Sequence, residues 1–501
     1  MRLNGLLVVS VVGITILSIS CTSKEKKEEV IARQYCGTCH SFPEPSLLDK
    51  GAWQTVMPQM AVRMGIDISL LTRLNDADYP YVVQTLPRNP MISTADFESI
   101  LNYYEREAPD SLTMPADFET KELHQFDVTP MNVLKQRPTI TMLRADTVNK
   151  KVWLSNRKPM LYEYDFNFKR VDSLQVNSPA SGVVFSKDDQ LLSLMGIMDP
   201  NDQPVGSVVM LTKDKSAEVQ IDSITRPVYI ERADLNNDKF EDIVVCEFGN
   251  YGGALTVFEN SGDGKFFKHK ISSLPGARKV VVKDFNDDGL NDILVLFSQG
   301  DEQISLYSNA GNFRFRVTTL LQFPPVYGSA YFDIVDFNKD GHWDIIYSNG
   351  DNADYSKIKK PYHGVRVFQN DGRNQFTETW FQHLDGCSMA IGRDFDRDGD
   401  IDIATISFFP DFVTQAQRGF VYFENNSGKL EPFVTSLAAD GRWLLMEPVD
   451  IDSDGYTDIL LGALNFDTGV PADLNKRWDE NPVDMLVLKN VSRSNRDKGK
   501  K

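Results

Sequence analysis

Five times in its second half the chain repeats one ten-residue acidic pattern. "DLNNDKFEDI" begins at Asp234, "DFNDDGLNDI" at Asp284, "DFNKDGHWDI" at Asp336, "DFDRDGDIDI" at Asp394 and "DIDSDGYTDI" at Asp450. The steps between them are 50, 52, 58 and 56 residues. A period of this length marks one supersecondary unit that buries its apolar faces only by stacking on its neighbours, and it is long enough for one four-stranded sheet. Each unit reads as a strand running into the acidic loop, a strand leaving it ("DIVVCEF", "DILVLFS", "DIIYSNG", "DIATISF", "DILLGAL") and a hairpin such as "ALTVFENSGDGKFFKHKI". Stretches around Asp146 and Asp188 keep the spacing but have lost the acidic pattern, so they read as two degenerate units. The expected fold is mainly β: a seven-bladed β-propeller over 138–491, with six and eight as neighbouring counts. The segment from Phe126 to Leu134 would close the ring, and a small all-α domain precedes it.

The acidic loops have a chemical reason for their spacing. Asp at positions 1 and 5, Asp or Asn at 3, Asp at 9 and Gly at 6 turn oxygen atoms toward a hard cation of calcium size. The candidate ligands are Asp234, Asn236, Asp238 and Asp242; Asp284, Asn286, Asp288 and Asp292; Asp336, Asn338, Asp340 and Asp344; Asp394, Asp396, Asp398 and Asp402; and Asp450, Asp452, Asp454 and Asp458. An EF-hand needs a bidentate Glu at position 12, where this chain has Val245, Val295, Tyr347, Thr405 and Leu461, so the loops sit between strands. The pattern resembles the FG-GAP or VCBS repeats of integrin-α-like propellers, and the resemblance implies up to five bound Ca²⁺. Acidic turns without metal are the alternative, most of all in the first loop, where Lys239 replaces the Gly. Seventeen carboxylates at these positions account for most of the formal net charge of −18. That origin of the acidity excludes a nucleic-acid partner and points to metal loading.

The N-terminal part has a different character. One early charge, Arg2, precedes an apolar run from Leu6 to Leu17, too short for the roughly 20 residues that span a bilayer, and small residues lead to Cys21. This reads as an export signal over 1–20. Cys21 resembles the lipidated cysteine of a bacterial lipoprotein, with 21–27 as its charged tether, as in Bacteroidetes lipoproteins. The expected location is the cell envelope, as an outer-membrane lipoprotein exposed at the surface or on the periplasmic face, held by the lipid anchor only.

"QYCGTCHSFP" then places Cys36 and Cys39 two residues apart and His40 directly after them. No second CxxC or HxxxH exists to complete a zinc site, and no βαβ context surrounds the pair as in a thioredoxin. C-x-x-C-H on an exported chain is the covalent haem c attachment pattern, with the thiols as thioethers and the imidazole as iron ligand. Around it, "KKEEVIARQY" reads as a helix with Val30, Ile31 and Tyr35 as apolar members, and Leu47 to Gly65 as a second. Ser93 and Asp96 cap a third, with Phe97, Ile100, Leu101 and Tyr104 as its stripe and Pro109 as its stop. The string "CGTCHSFPEPSLL…W…PQMAVRMG…YYEREAP" resembles the haem domain fused to repeat propellers in exported bacterial proteins, over 28–110. The resemblance implies Met60 as sixth ligand; the general layout of cytochromes c points to Met91. Residues 111–137 read as a linker and 492–501 as a polar tail.

On the propeller, the loops leaving the second strands carry long insertions at 348–364, 408–419 and 465–482, on the face opposite the acidic loops. Long aromatic loops on a repeat scaffold are a place for a polar or carbohydrate ligand. Arg137, Arg226, Arg278, Arg442, Asp385 and Asp440 enter the innermost strands on that face, and His363 lies in the first insertion. Cys246 and Cys387 read as core thiols. The preferred function is a mono-haem c-type cytochrome passing electrons to a redox partner not identified by sequence, with a calcium-stiffened propeller as docking platform. A quinoprotein-like sugar or alcohol dehydrogenase feeding the haem is the second reading, and a calcium-dependent polysaccharide binder the third. No hydrolase triad, P-loop or dinucleotide fingerprint supports a catalytic residue.

Overall fold

The alternating runs form seven sheets, each built on four antiparallel strands and one of them extended by a fifth, parallel strand, in a computed structural model that describes residues 12–66, 77–186, 189–212, 216–351 and 357–492, with side chains from residue 24 onward. Six blades use consecutive strands over 140–175, 180–224, 227–272, 277–322, 329–383 and 387–434. The seventh takes three strands from 443–490 and its fourth from Phe126–Met131, which pairs antiparallel with Met485–Asn490. The ring is therefore closed by the segment the sequence singled out, and both degenerate units are complete blades. Residues 1–11, most of the expected export signal, and 493–501, nearly all of the tail, lie outside the described residues, as does the side chain of Cys21.

Burial explains which run became which strand. The five second strands that follow the acidic loops are buried at every residue, because neighbouring blades cover both their faces. Fourth strands such as Phe315–Gln322 are mostly exposed, as expected at the rim. Cores lie between blades: Ile391, Ile406 and Tyr422 of the sixth blade pack with Trp443, Met446 and Ile459 of the seventh. Phe126 belongs to the same core, edge-on to Tyr422 at 5.2 Å and to Phe395 at 5.9 Å. Phe126→Ala is expected to cost about 3–5 kcal/mol, by cavity formation at the closure, read as a lower urea midpoint at unchanged m-value.

Two boundaries differ from the sequence reading. Residues 111–137 are not a free linker: from 114 onward they belong to the β unit, adding the closing strand and a two-residue parallel strand, Lys121–Glu122, against Phe433–Val434. Residues 77–85, expected inside the 28–110 domain, also belong to the β unit, where Gln203 Nε2 donates to Asp78 Oδ1 at 2.9 Å.

The other unit comprises 12–66 and 86–113 and is helical. Helix α1 spans Val12–Cys36, running unbroken through the expected tether. Helix α2 spans Lys50–Arg63, capped by Asp49, whose carboxylate accepts from the Ala52 N–H. A short α3, Tyr79–Val82, lies in the β unit, and α4 spans Thr94–Glu107. Ser93 caps α4 as expected, accepting from the Asp96 N–H at 3.1 Å. Two faces are corrected. On α1 the inward residues are Ala32 and Glu28 while Val30 is exposed, because Glu28 is drawn in by Arg106 Nη1 of α4 at 2.5 Å. On α4 Tyr103 is buried in place of Leu101, at the edge of an aromatic cluster. No helix among the described residues is long and apolar enough to cross a membrane.

Candidate functional site

The C-x-x-C-H stretch begins where α1 ends. Cys36 is its last residue, Gly37 bonds back to the Arg33 carbonyl at 3.2 Å, and Thr38 to that of Tyr35, so the chain turns at once. A Cβ on Gly37 would stand 2.8 Å from the Arg33 oxygen, which is why the turn needs Gly. Cys36 and Cys39 are not joined by a disulfide. Burial pushes the Cys36 thiol up to about 11, so it is not a low-pKa redox thiolate. His40 Nδ1 donates to the Ser41 carbonyl at 2.9 Å, which sets the tautomer with the lone pair on Nε2. Tyr104 lies tilted against Trp53, with ring centres 4.4 Å apart, and donates to the Pro43 carbonyl at 2.7 Å, fixing an aromatic wall beside Cys36. Two unlinked thiols, an imidazole in the metal-ligating tautomer and an aromatic wall are the donor set and surroundings a covalent haem requires. Met57 is buried, Met60 and Met64 half-buried, and Met91 exposed. The Met91 N–H donates to the Met64 carbonyl at 2.9 Å, so both candidate sixth ligands belong to segments held together.

The acidic loops all join first to second strands and so share one face. Position 1 accepts from the N–H of position 6 at 2.8–3.0 Å, and position 5 from that of position 7 at 2.8–2.9 Å. Position 6 has positive φ in every loop, +75° at Lys239 and +85° to +97° at the four glycines, which is the reason for Gly. Carboxylate oxygens of Asp394, Asp396 and Asp398 lie within 4.8 Å of one another, as do those of Asp450, Asp452 and Asp454. Asp394 Oδ1 is buried without a donor, an orphaned acceptor that a hard cation would satisfy.

Position 9 has a further role that the sequence reading missed. In every loop its Oδ2 accepts from the N–H of position 2 at 2.8–3.1 Å. Its Oδ1 accepts at 2.7–2.9 Å from the N–H of an Asn on the third strand: Asn260, Asn309, Asn370, Asn425 or Asn490. Each Asn returns a side-chain bond to the carbonyl of position 8. Asp242, Asp292, Asp344, Asp402 and Asp458 thus fasten loop to blade. Burial raises all five, Asp402 to about 7 and Asp242 and Asp458 to about 6.

The first strands adjoin one another around the axis, and Arg144, Glu231, Lys279, Asp333, Arg393 and Glu447 are among the charges they carry. Arg393 Nη1 pairs with Asp333 Oδ2 at 2.8 Å, and Lys279 Nζ donates to the Phe332 carbonyl at 2.7 Å over the Tyr331 ring. Burial lowers Lys279 to about 8. Between about pH 8 and the ordinary lysine value the unfolded chain keeps the proton that the folded chain has released, so this group adds stability as pH rises. Measured by denaturation at each pH, wild-type stability relative to Lys279→Met is expected to climb across that window, by at most about 1.4 kcal/mol per pH unit.

On the opposite face the structure separates the channel-mouth residues. Arg137 pairs with Asp467 and Asp479, Arg226 with the Met198 carbonyl, Arg278 with Asp351 and Asp440 with Arg477. Arg442, Asp385 and His363 instead line one cavity of about 410 Å³ enclosed by the three insertions. A fifth helix, α5, Ala472–Glu480, stiffens its wall: Trp478 meets Phe412 edge-on at 5.5 Å and donates to the Ala439 carbonyl. Cys246 and Cys387 are fully buried in blade cores, and neither lines this cavity.

Residues 234–295, 284–347 and 394–461 match the family model of the FG-GAP-like repeat. No curated protein matches the chain. Among solved structures, similarity extends to the N-terminal domain of Nup159 at 10% identity, over 75% of this chain and 98% of that one, with a TM-score of 0.42. The S. cerevisiae complex of a Dbp5 variant with Nup159, Gle1, IP6 and ADP gives 8%, 75%, 99% and 0.43. A luciferin-regenerating enzyme gives 12%, 56%, 88% and 0.34. The strand order makes the β unit a seven-bladed propeller, and the repeat match places FG-GAP-like repeats in it over 234–347 and 394–461.

Proposed function

We propose that this chain is a cell-envelope, mono-haem c-type cytochrome whose FG-GAP propeller is a calcium-stabilised docking platform. The observation that carries the reading is the unlinked Cys36 and Cys39 pair at the end of α1, followed by His40 with its lone pair on Nε2. Cys36 and Cys39 would hold the haem covalently, His40 would ligate it, and Met60 or Met91 would supply the sixth position. When bound, haem supplies one reversible electron at a fixed potential. Phe42, Trp53 and Tyr104 form an aromatic cluster beside Cys36 that would shield the attachment side. Lipidation at Cys21 would tether the protein to the outer membrane. The five acidic loops would take Ca²⁺ through positions 1, 3, 5 and 9, and the orphaned Asp394 Oδ1 supports this at the fourth loop. The test is the visible spectrum of the purified chain after co-expression with a cytochrome c maturation system. Covalent haem with a reduced c-type α-band is expected; a colourless product would sink the reading.

A further inference from the structure

The cavity on the insertion face holds groups that neither haem nor calcium uses. Arg442 is 1% exposed, and its Nη2 donates to the Thr468 carbonyl at 2.5 Å, but Nε and Nη1 have no acceptor. No carboxylate pairs with it among the described residues. Four phenylalanine rings surround it instead, at 3.9 Å for Phe466, 4.9 Å for Phe412 and 5.4 Å for both Phe408 and Phe409. The rings attract a cation, yet they accept no hydrogen bond along the N–H directions. A buried guanidinium with open donors is costly to keep and is stabilised by an incoming anion.

Other groups in the cavity narrow the class of anion. Asp385 Oδ1 is buried without a donor; its neighbour His383 Nε2 stands 3.5 Å away, beyond a good hydrogen bond. His363 is 1% exposed, its Nε2 has no partner, and burial keeps the ring neutral. An acceptor carboxylate and a neutral imidazole suit hydroxyl groups. Lys359 pairs with Asp411 at 2.6 Å and with Asp385 at 3.8 Å, and with Lys357 and Arg442 the lining holds three cations to two carboxylates, a surplus of one positive charge that a monoanion balances and a dianion such as phosphate exceeds. Phe409, Phe412 and Phe466 give the cavity an apolar side, with the Phe409 and Phe466 rings at 71° to each other, and a volume of about 410 Å³ lies toward the small end of ligand sites.

We propose that this cavity binds a hydroxylated monocarboxylate of the uronic-acid class, its carboxylate on Arg442, its hydroxyls on Asp385 and His363 and its ring against the phenylalanines. The site is independent of haem, so its test reads heat of binding and not colour. The acid could arrive free or as the end of a polysaccharide. Titration calorimetry on the full chain in 1 mM Ca²⁺ would use galacturonate, tri-galacturonate, glucose, acetate and inorganic phosphate. At least one uronate is expected to bind at least tenfold more tightly than glucose, acetate and phosphate. Tighter binding of the trisaccharide assigns a polysaccharide end, and equal binding assigns the free acid. Arg442→Met is expected to abolish uronate binding. Because Arg442 is a core residue, Asp385→Asn provides the second reading: unchanged melting and at least tenfold weaker binding. Heat from neither uronate, equal binding of glucose, tighter binding of phosphate, or full affinity in both variants would overturn the proposal.

Discussion

The Cys36→Ser, Cys39→Ser double variant is expected to leave a maturation host colourless, while the wild-type chain leaves it with haem that survives acid-acetone extraction. The effect is all-or-none because the haem vinyls bond only to the thiols of this motif, and the two remaining thiols described, Cys246 and Cys387, are fully buried in the propeller. Each single variant keeps one attachment and is expected to give less holoprotein with a shifted reduced α-band. The argument depends on the variants folding, which melting and far-UV circular dichroism check separately. Serine in place of half-buried Cys36 disturbs only the contact with Tyr104, whose hydroxyl keeps its bond to Pro43. Met60→Ala and Met91→Ala then name the sixth ligand, since only one should lose the methionine-to-iron band. Wild-type protein without colour, made beside a control cytochrome that matures, would remove electron transfer and leave a calcium propeller.

Most of the β unit was legible because repetition makes a local signal global. The five acidic loops fixed the blade period, and that period located the two blades that lack the acids. The segment from Phe126 to Leu134 was named as ring-closing, and the structure gives the reason: the seventh repeat ends one strand short and Phe126–Met131 supplies it. What stayed hidden depends on contacts between distant residues. Glu28 turns inward on α1 only because Arg106 meets it from 78 residues away. The Asn that clasps each position-9 Asp follows it by anything from 17 to 32 residues, since insertions of different length intervene, and a fixed-offset search passes over it. A signal did exist, for these Asn residues stand at the last or next-to-last position of the third strand in all five repeats. Arg442, Asp385 and His363 were each noted as residues of the insertion face. Their shared cavity, and the single buried atom or two that each leaves without a hydrogen bond, follow from how three insertions pack, which Trp478 on α5 anchors.

Removal of calcium is expected to lower the melting temperature of the propeller by about 10 °C. With a dissociation constant near 10⁻⁴ M and about 1 mM calcium, each site adds about 1.4 kcal/mol by mass action. Five sites would add about 7 kcal/mol, comparable with the whole stability of many folded proteins, and at about 2 cal/mol/K per residue this becomes a shift of that size. The geometry makes the coupling direct. The oxygens proposed to hold the metal sit on loops whose ninth residue ties the second strand to the third, so a loop splayed by carboxylate repulsion would loosen the blade it belongs to. Calorimetry in calcium and in excess EDTA checks this, and an unchanged transition would mean that the loops are acidic turns held by their own hydrogen bonds. The sites need not be equal. Lys239 carries a positive charge and a positive φ of 75° where the other loops have Gly, so the first loop should bind most weakly. Lys239→Gly is then expected to tighten the weakest step of a calcium titration while Asp398→Asn removes one of the tighter ones, a contrast that repulsion alone, without metal, would not produce.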